Sequence, residues 1–252
     1  MAKQESILPI SGTIQKLTFY KTGDGFMVKE KPVVSADKIA NSATYARTRE
    51  NMAEFTRAGE AGGLVRKAFG DIIGNSKDRR LPSRMTTEMH KVVISDATSD
   101  RGQRNVTDGE AALLTGFQFN ARAVLSATFR APFTAAIDRA TGIASVDIPA
   151  FVPANLVAIP KGATHFQLFI GVAAIDFEAA TYKVDNAVSQ NLAYNDIATA
   201  PISLKANFTI NSTQALFLAF GIEFMEAVNG KMYPLNNNSF NACSLVKVES
   251  AI

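Results

Sequence analysis

The chain has 252 residues, 47% hydrophobic and 19% charged, with a formal net charge of +3. At that length it buries a core without staples, and its single Cys243 excludes an intrachain disulfide. The charge is uneven: residues 1–104 hold 18 Lys and Arg against 12 Asp and Glu, and residues 105–252 hold 8 against 11, so a basic front precedes a mildly acidic back.

The N-terminus, MAKQESILPISG, carries an apolar stretch too short for a signal peptide, and no apolar run approaches the ~20 residues of a transmembrane helix. The expectation is a protein that stays in the cytoplasm without membrane insertion, or leaves by lysis or a dedicated machine.

Residues 13–21 are rich in β-branched and aromatic side chains, and TGDGF supplies a turn in which Gly23, Asp24 and Gly25 accept positive φ. FMVKEK at 26–31 returns as a second strand, and Pro32 stops the ladder. Alternation puts Leu17 and Phe19 on one face, and Thr18 and Tyr20 on the other. A two-stranded hairpin is marginal in water, so this one must lie on something. It either packs on its own domain or docks on a neighbouring copy by strand addition. In the second case its interface residues are Ile14, Leu17, Phe19, Tyr20, Phe26 and Val28.

Residues 41–74 read as a helix capped by Asn41 or Ser42 and ended by Gly74 and Asn75, with Tyr45, Met52, Phe55, Leu64, Ala68, Phe69 and Ile72 as its apolar stripe. Gly62 and Gly63 predict a kink or break, because together they cost about 2 kcal/mol relative to alanine. A second helix is expected at 82–96, with Pro82 at its start and Met85, Met89, Val92 and Val93 on its apolar face. Residues 97–110 have loop composition.

After residue 112 the pattern alternates. Strands are expected at 114–119, 122–130, 133–138, 143–149, 164–174, 179–187, 202–210, 215–226, 230–234 and 240–249, with turns that include NNNS at 236–239. Phe166, Leu168 and Ile170 mark one inward face, and Leu216, Leu218, Phe220, Ile222 and Phe224 another. The 17 Phe and absence of Trp suit a dry core. The predicted fold is α+β: an N-terminal hairpin arm (1–34), a segment with two helices (35–110) and a mostly antiparallel β-sandwich (111–252), Ig-like or jelly-roll-like.

Candidate chemistry is thin. His90 and His165 are separated from each other and from Cys243, so no zinc-type spacing exists, and Cys243 reads as a small buried hydrophobe. Asp176 and Glu178 would share a strand face, either as an acid–base or metal pair or, with no third ligand nearby, as a solvated face. Glu223 and Glu226 have opposite parity. Asp108-Gly109-Glu110 reads as a turn or helix cap. No phosphate loop or nucleophile elbow is present, and no enzyme activity, catalytic residue, metal or cofactor is expected. The basic residues Lys77, Arg79, Arg80, Arg84, Lys91, Arg101 and Arg104 form either a solvated face or a polyanion site acting through phosphate contacts.

Four stretches, SGTIQKLTFYKTGDGFMVKEK at 11–31, ARTRENMAEFTRAG at 46–59, RGQRNVTDGEAALLTGFQFN at 101–120 and PKGATHFQL at 160–168, resemble an uncharacterised family of small conserved proteins from Bacteroidota. The resemblance implies a short hairpin, an Arg-rich helix and a β-sandwich, and implies no activity. Hairpins of that family carry Gly-Asn where this chain has Gln15-Lys16, which predicts a looser contact at Gln15.

Three functions follow as expectations. The leading one is a structural protein that self-assembles as a homo-oligomer, in a ring, filament or shell, through the hairpin and head-to-tail contacts. The second is nucleic-acid or other polyanion binding through Arg79, Arg80, Arg84, Lys91, Arg101 and Arg104. The third is glycan or protein recognition by the sandwich, with Tyr182, Tyr194 and Tyr233 available for stacking.

Overall fold

The computed structural model describes residues 2–4, 10–30, 34–74, 76–235 and 240–252. Pro32, Asn75 and the turn at 236–239 therefore lie outside the described residues. The chain is α+β and separates into two compact units, residues 1–49 and 50–252.

The first unit is a four-stranded antiparallel sheet followed by a short helix. Its strands are β1 (Ala2–Lys3), β2 (Gly12–Ile14), β3 (Leu17–Thr22) and β4 (Gly25–Glu30), in the order β1-β4-β3-β2. The turn Gly23-Asp24 joins β3 to β4 as its chemistry predicts, and Asp24 N donates to Thr22 Oγ1. The strand expected over 13–21 is instead two strands, because Gln15 takes a φ of +51° and reverses the chain. Helix α1 (Ala36–Asn41) starts at Ser35, whose hydroxyl accepts from Lys38 N. Asn41 thus ends a helix rather than opening one, and Arg49 Nη1 donates to the carbonyls of Ile39 and Ser42.

The next helix is α2 (Ala46–Ala68), then α3 (Gly70–Ile73) and α4 (Leu81–Ser95). Contrary to expectation, α2 runs unbroken through Gly62 and Gly63, and the helix breaks at Phe69. Gly62 is a packing position: a Cβ there would lie 3.1 Å from Met85 Cγ on α4. The predicted stripe holds at Leu64, Ala68 and Phe69 and fails at Met52 and Phe55. Ala58, Ala61, Leu64, Val65 and Ala68 are buried, while Met52 and Phe55 are exposed. On α4 the expected face is correct, with Met85, Met89, Val92 and Val93 wholly buried.

The strands of the second unit are β5 (Thr134–Asp138), β6 (Ile143–Ile148), β7 (His165–Asp176), β8 (Thr181–Val188), β9 (Leu192–Ala193), β10 (Ile202–Asn207), β11 (Ala215–Val228), β12 (Lys231–Pro234) and β13 (Ala242–Glu249). Short helices α5 (Leu125–Thr128) and α6 (Pro153–Leu156) lie between them. The stretches 114–119 and 122–130 are not regular strands. The first opens with the end of a 3-10 turn and then runs beside β13, with Gly116 N donating to Leu245 O and Phe119 N to Cys243 O; the second holds α5.

A six-stranded sheet has β11 and β7 at its centre. β13 and β12 share the outer edge of β11, and β8 and β9 share the outer edge of β7. A three-stranded sheet, β10-β6-β5, faces it. The central strands bury both faces, which explains their near-continuous apolar runs. One face (Phe166, Leu168, Ile170, Leu216, Leu218, Phe220, Ile222, Phe224) packs on Ala144, Val146, Leu204 and Ala206 of the small sheet. The other face (Phe169, Ala173, Phe217, Ala219, Cys243, Leu245) packs on α2, α3 and α4. The boundary expected at residue 110 therefore falls inside a shared core: the helices after residue 49 belong to the same unit as the sandwich.

Candidate functional site

Cross-strand register decides what the N-terminal sheet presents. Directly opposed residues of an antiparallel pair project to one face. Phe19 opposes Val28, Lys21 opposes Phe26, and Ile14 opposes Leu17. Alternation then places Ile14, Leu17, Phe19, Phe26 and Val28 on a single face. Tyr20, paired with Met27, lies on the opposite face, under the Lys29 ammonium at 5.3 Å from its ring centroid. Five of the six expected interface residues thus come together, and Tyr20 does not.

Among the described residues the side chains of this face are exposed or half-buried. Among the described residues of 1–49, none is buried. Ile14 is 52% and Leu17 45% exposed, and Phe19, Phe26 and Val28 are half-buried. Lys21 stands at the edge of the stripe, its ammonium 5.6 Å from the Phe26 ring centroid.

The basic residues do not form one patch. Arg84 is an internal clamp: it pairs with Asp78, donates to the carbonyls of Gln118 and Phe119, and stacks 5.1 Å from the Phe117 ring. Partial burial pushes the Asp78 carboxyl up, but the N–H of Ala121, the Arg84 guanidinium and the N–H of Arg80 outweigh it and hold it below the usual carboxylate range. Lys91 pairs with Glu88 one turn away. Arg101 donates to Asn51 Oδ1 at 2.8 Å, and the Arg104 carbonyl accepts from Arg57 Nη1 at 2.8 Å. Together with Glu54, whose carboxylate accepts from Gly102 N at 2.7 Å, these contacts strap the loop after α4 to the start of α2. Arg79 and Arg80 are exposed at the other end of α4, roughly 20 Å away along a helix of 15 residues.

The remaining candidates resolve into structural roles. Asp176 Oδ1 accepts from the N–H of Glu178 and of Ala179, closing the turn between β7 and β8, so Glu178 is not a strand residue. Glu110 caps a 3-10 turn at 111–114 and accepts from Ser250 Oγ. His90 makes an edge contact with Phe55, and His165 Nδ1 shares a hydrogen bond with Thr164 Oγ1. Cys243 is fully buried, and burial pushes its thiol up. Burial also raises the Glu223 carboxyl. Among the described residues no three His, Cys, Asp or Glu converge on a metal-sized position. Tyr182 and Tyr233 lie on β8 and β12, at opposite sides of the large sheet, and Tyr194 is half-buried, so the three do not share a stacking platform. No described helix is long and apolar enough to cross a membrane.

A second exposed apolar row was not singled out from the sequence. On β8, Tyr182, Val184 and Val188 are 43%, 38% and 54% exposed, with the exposed polar Asn186 between the two valines on the same face. They oppose Ile175, Ala173 and Phe169 of β7, which are buried under the helices, so the helical layer stops short of β8. The signal was the alternation Tyr-Lys-Val-Asp-Asn-Ala-Val, which marks a strand and leaves open whether its apolar face is covered.

Comparison with protein-family models, with curated proteins and with solved structures finds no match to this chain.

Proposed function

We propose that this is a non-enzymatic structural protein that assembles with copies of itself, and that residues 1–49 form the docking unit. The observation that carries the reading is the N-terminal sheet: five apolar side chains share one face, and no described residue of the unit is buried. A unit of this size has too little surface to hide to be stable on hydrophobic burial alone. Burying each exposed aliphatic or aromatic side chain is worth about 1.5–3 kcal/mol, which favours a covered state over the free one. Charge acts in the same direction. Residues 1–49 hold eight Lys and Arg against four Asp and Glu, whereas the remainder is net −1.

Light scattering on the full-length protein tests this. The expected mass is a multiple of the 27.0 kDa chain. The double variant Leu17→Asp/Val28→Asp is expected to return to the single-chain mass with an unchanged circular dichroism spectrum. A wild-type protein that stays at 27.0 kDa across the micromolar range removes the proposal.

A further inference from the structure

We propose that Asn229–Gly230, the tip of the β11–β12 hairpin, is a site of self-modification. There the asparagine side chain cyclises onto its own backbone and is hydrolysed to an aspartyl or isoaspartyl link. The inference is independent of the assembly reading above.

The chemistry needs an asparagine amide carbon, a following backbone nitrogen free to attack it, and no side chain in the way. Asn229–Gly230 is the one Asn-Gly pair in the sequence. The two residues form a two-residue loop between the paired Val228 and Lys231, with φ of +51° and +75°, the conformation Asn-Gly favours in tight hairpins. Both are exposed, and even a Cβ added at Gly230 would meet no atom within 4 Å. The Val228–Lys231 pair closes the ladder, so the Gly230 N–H lies outside it, and no described backbone carbonyl takes it up.

The two described Asn-Ser pairs, the next least hindered, lack that freedom. Ser42 N donates to Lys38 O, and Ser212 N donates to Thr209 O with Ser212 only 7% exposed. A nitrogen held in such a bond does not swing onto the neighbouring amide.

In a closed turn of this type the Gly230 nitrogen points away from the Asn229 side chain, so the reaction proceeds from the opened hairpin. Opening costs little here, because all four residues of β12 are exposed and no buried side chain holds the strand. In the open form the Gly230 nitrogen gives its proton to solvent base and bonds to Asn229 Cγ. The Cγ–N bond of the side chain breaks, and ammonia leaves a five-membered imide. Water then adds to either imide carbonyl, giving the aspartyl link or the isoaspartyl link, in which the backbone runs through the former Cβ. No oxidant or reductant takes part. Either product lowers the formal net charge of +3 by one. The isoaspartyl link also lengthens the loop by one carbon, which breaks the spacing that pins Glu226 to Tyr233 and Ala227 to Met232. The inner part of β11, paired with β7 and β13, is outside its reach.

Three full-length samples held in mildly alkaline buffer test this: native wild type, wild type in urea, and Asn229→Gln, whose longer side chain would need a six-membered ring. Proteolytic fragments are followed by mass spectrometry. In the native sample the fragment with Asn229 is expected to gain the amide-to-acid mass difference and split into two isomers on chromatography, while Asn41 and Asn211 stay intact. The urea sample converts faster at Asn229, and Asn229→Gln does not convert. Native protein that keeps Asn229 intact while the urea sample converts overturns the proposal. Native conversion at Asn211 as fast as at Asn229 overturns the structural selection of this site. Amide hydrogen exchange on the aged protein is the second readout: faster exchange in β12 with β7 unchanged is expected, and an unchanged β12 in the isoaspartyl form overturns the register consequence.

Discussion

Ile72 on α3 stands directly over Gly171 of β7, where a Cβ would lie 2.5 Å from Ile72 Cδ1 and 2.8 Å from its Cγ2. The helical layer reaches the sheet through this position. Gly221 on β11 has a different role: a Cβ there would lie 2.2 Å from the ring of Phe169 on the paired strand β7, so it makes room for a side chain of the sheet itself. Gly171 sets how closely α3 approaches the sheet.

Gly171→Ala is therefore expected to destabilise the second unit by about 1–3 kcal/mol, because overpacking forces the side chain or α3 to move. Adding Ile72→Ala removes the clashing atoms and should recover part of the loss. Urea unfolding of the two single variants and the double variant measures the coupling. Strictly additive losses would show that the two residues do not constrain each other.

Gln15 occupies the left-handed region at φ +51°, a conformation disfavoured by roughly 1–2 kcal/mol for residues with a Cβ. Gln15 and Lys16 form the turn between β2 and β3. Gln15→Gly should stabilise that turn by about 1 kcal/mol and slow amide hydrogen exchange in β2 and β3. Unchanged or faster exchange would count against strain at this residue.

Asp96 is buried, which pushes its carboxyl up, yet N–H groups of Ser99, Asn105 and Thr98 outweigh burial and hold it at about 2. A folded value below the ordinary 3.8 means the ionised form is favoured by folding. The contribution is complete above the unfolded value and is lost as pH falls from there through about 2. Chemical-denaturation midpoints should drop over that window, and Asp96→Asn should flatten the drop. The variant should also cost about 1–3 kcal/mol at neutral pH, since the amide turns donors toward donors.

Arg84→Ala removes the guanidinium from Asp78 and from the carbonyls of Gln118 and Phe119, and is expected to cost roughly 1.5–3 kcal/mol in thermal or urea unfolding. Arg79→Ala/Arg80→Ala, at exposed positions, should change stability by less than about 0.5 kcal/mol. Retention of the wild type on immobilised nucleic acid at low salt, lost in the Arg79/Arg80 variant, would favour the polyanion reading.

Much of the fold is written locally in the sequence. Gly23-Asp24 has turn chemistry that needs no tertiary partner. Pro82 and the spacing of Met85, Met89, Val92 and Val93 define α4, and the long β7 and β11 runs are apolar enough to demand burial. The α+β class and the apolar set on the N-terminal sheet follow from such local periodicities, because side-chain direction is set by backbone geometry within a few residues. Other features depended on what lies opposite. Gly62–Gly63 looks like a helix break until Met85 is placed against Gly62. Met52 and Phe55 look like core until the helix is rotated by its contacts with the sheet. Arg84 looks like a surface charge until Asp78 and the Phe117 ring meet it. The exposed row on β8 exists only because the helices end one strand early. Periodicity is a property of a segment, whereas cover, pairing and close approach are properties of two segments distant in the chain, and those only the tertiary structure decided.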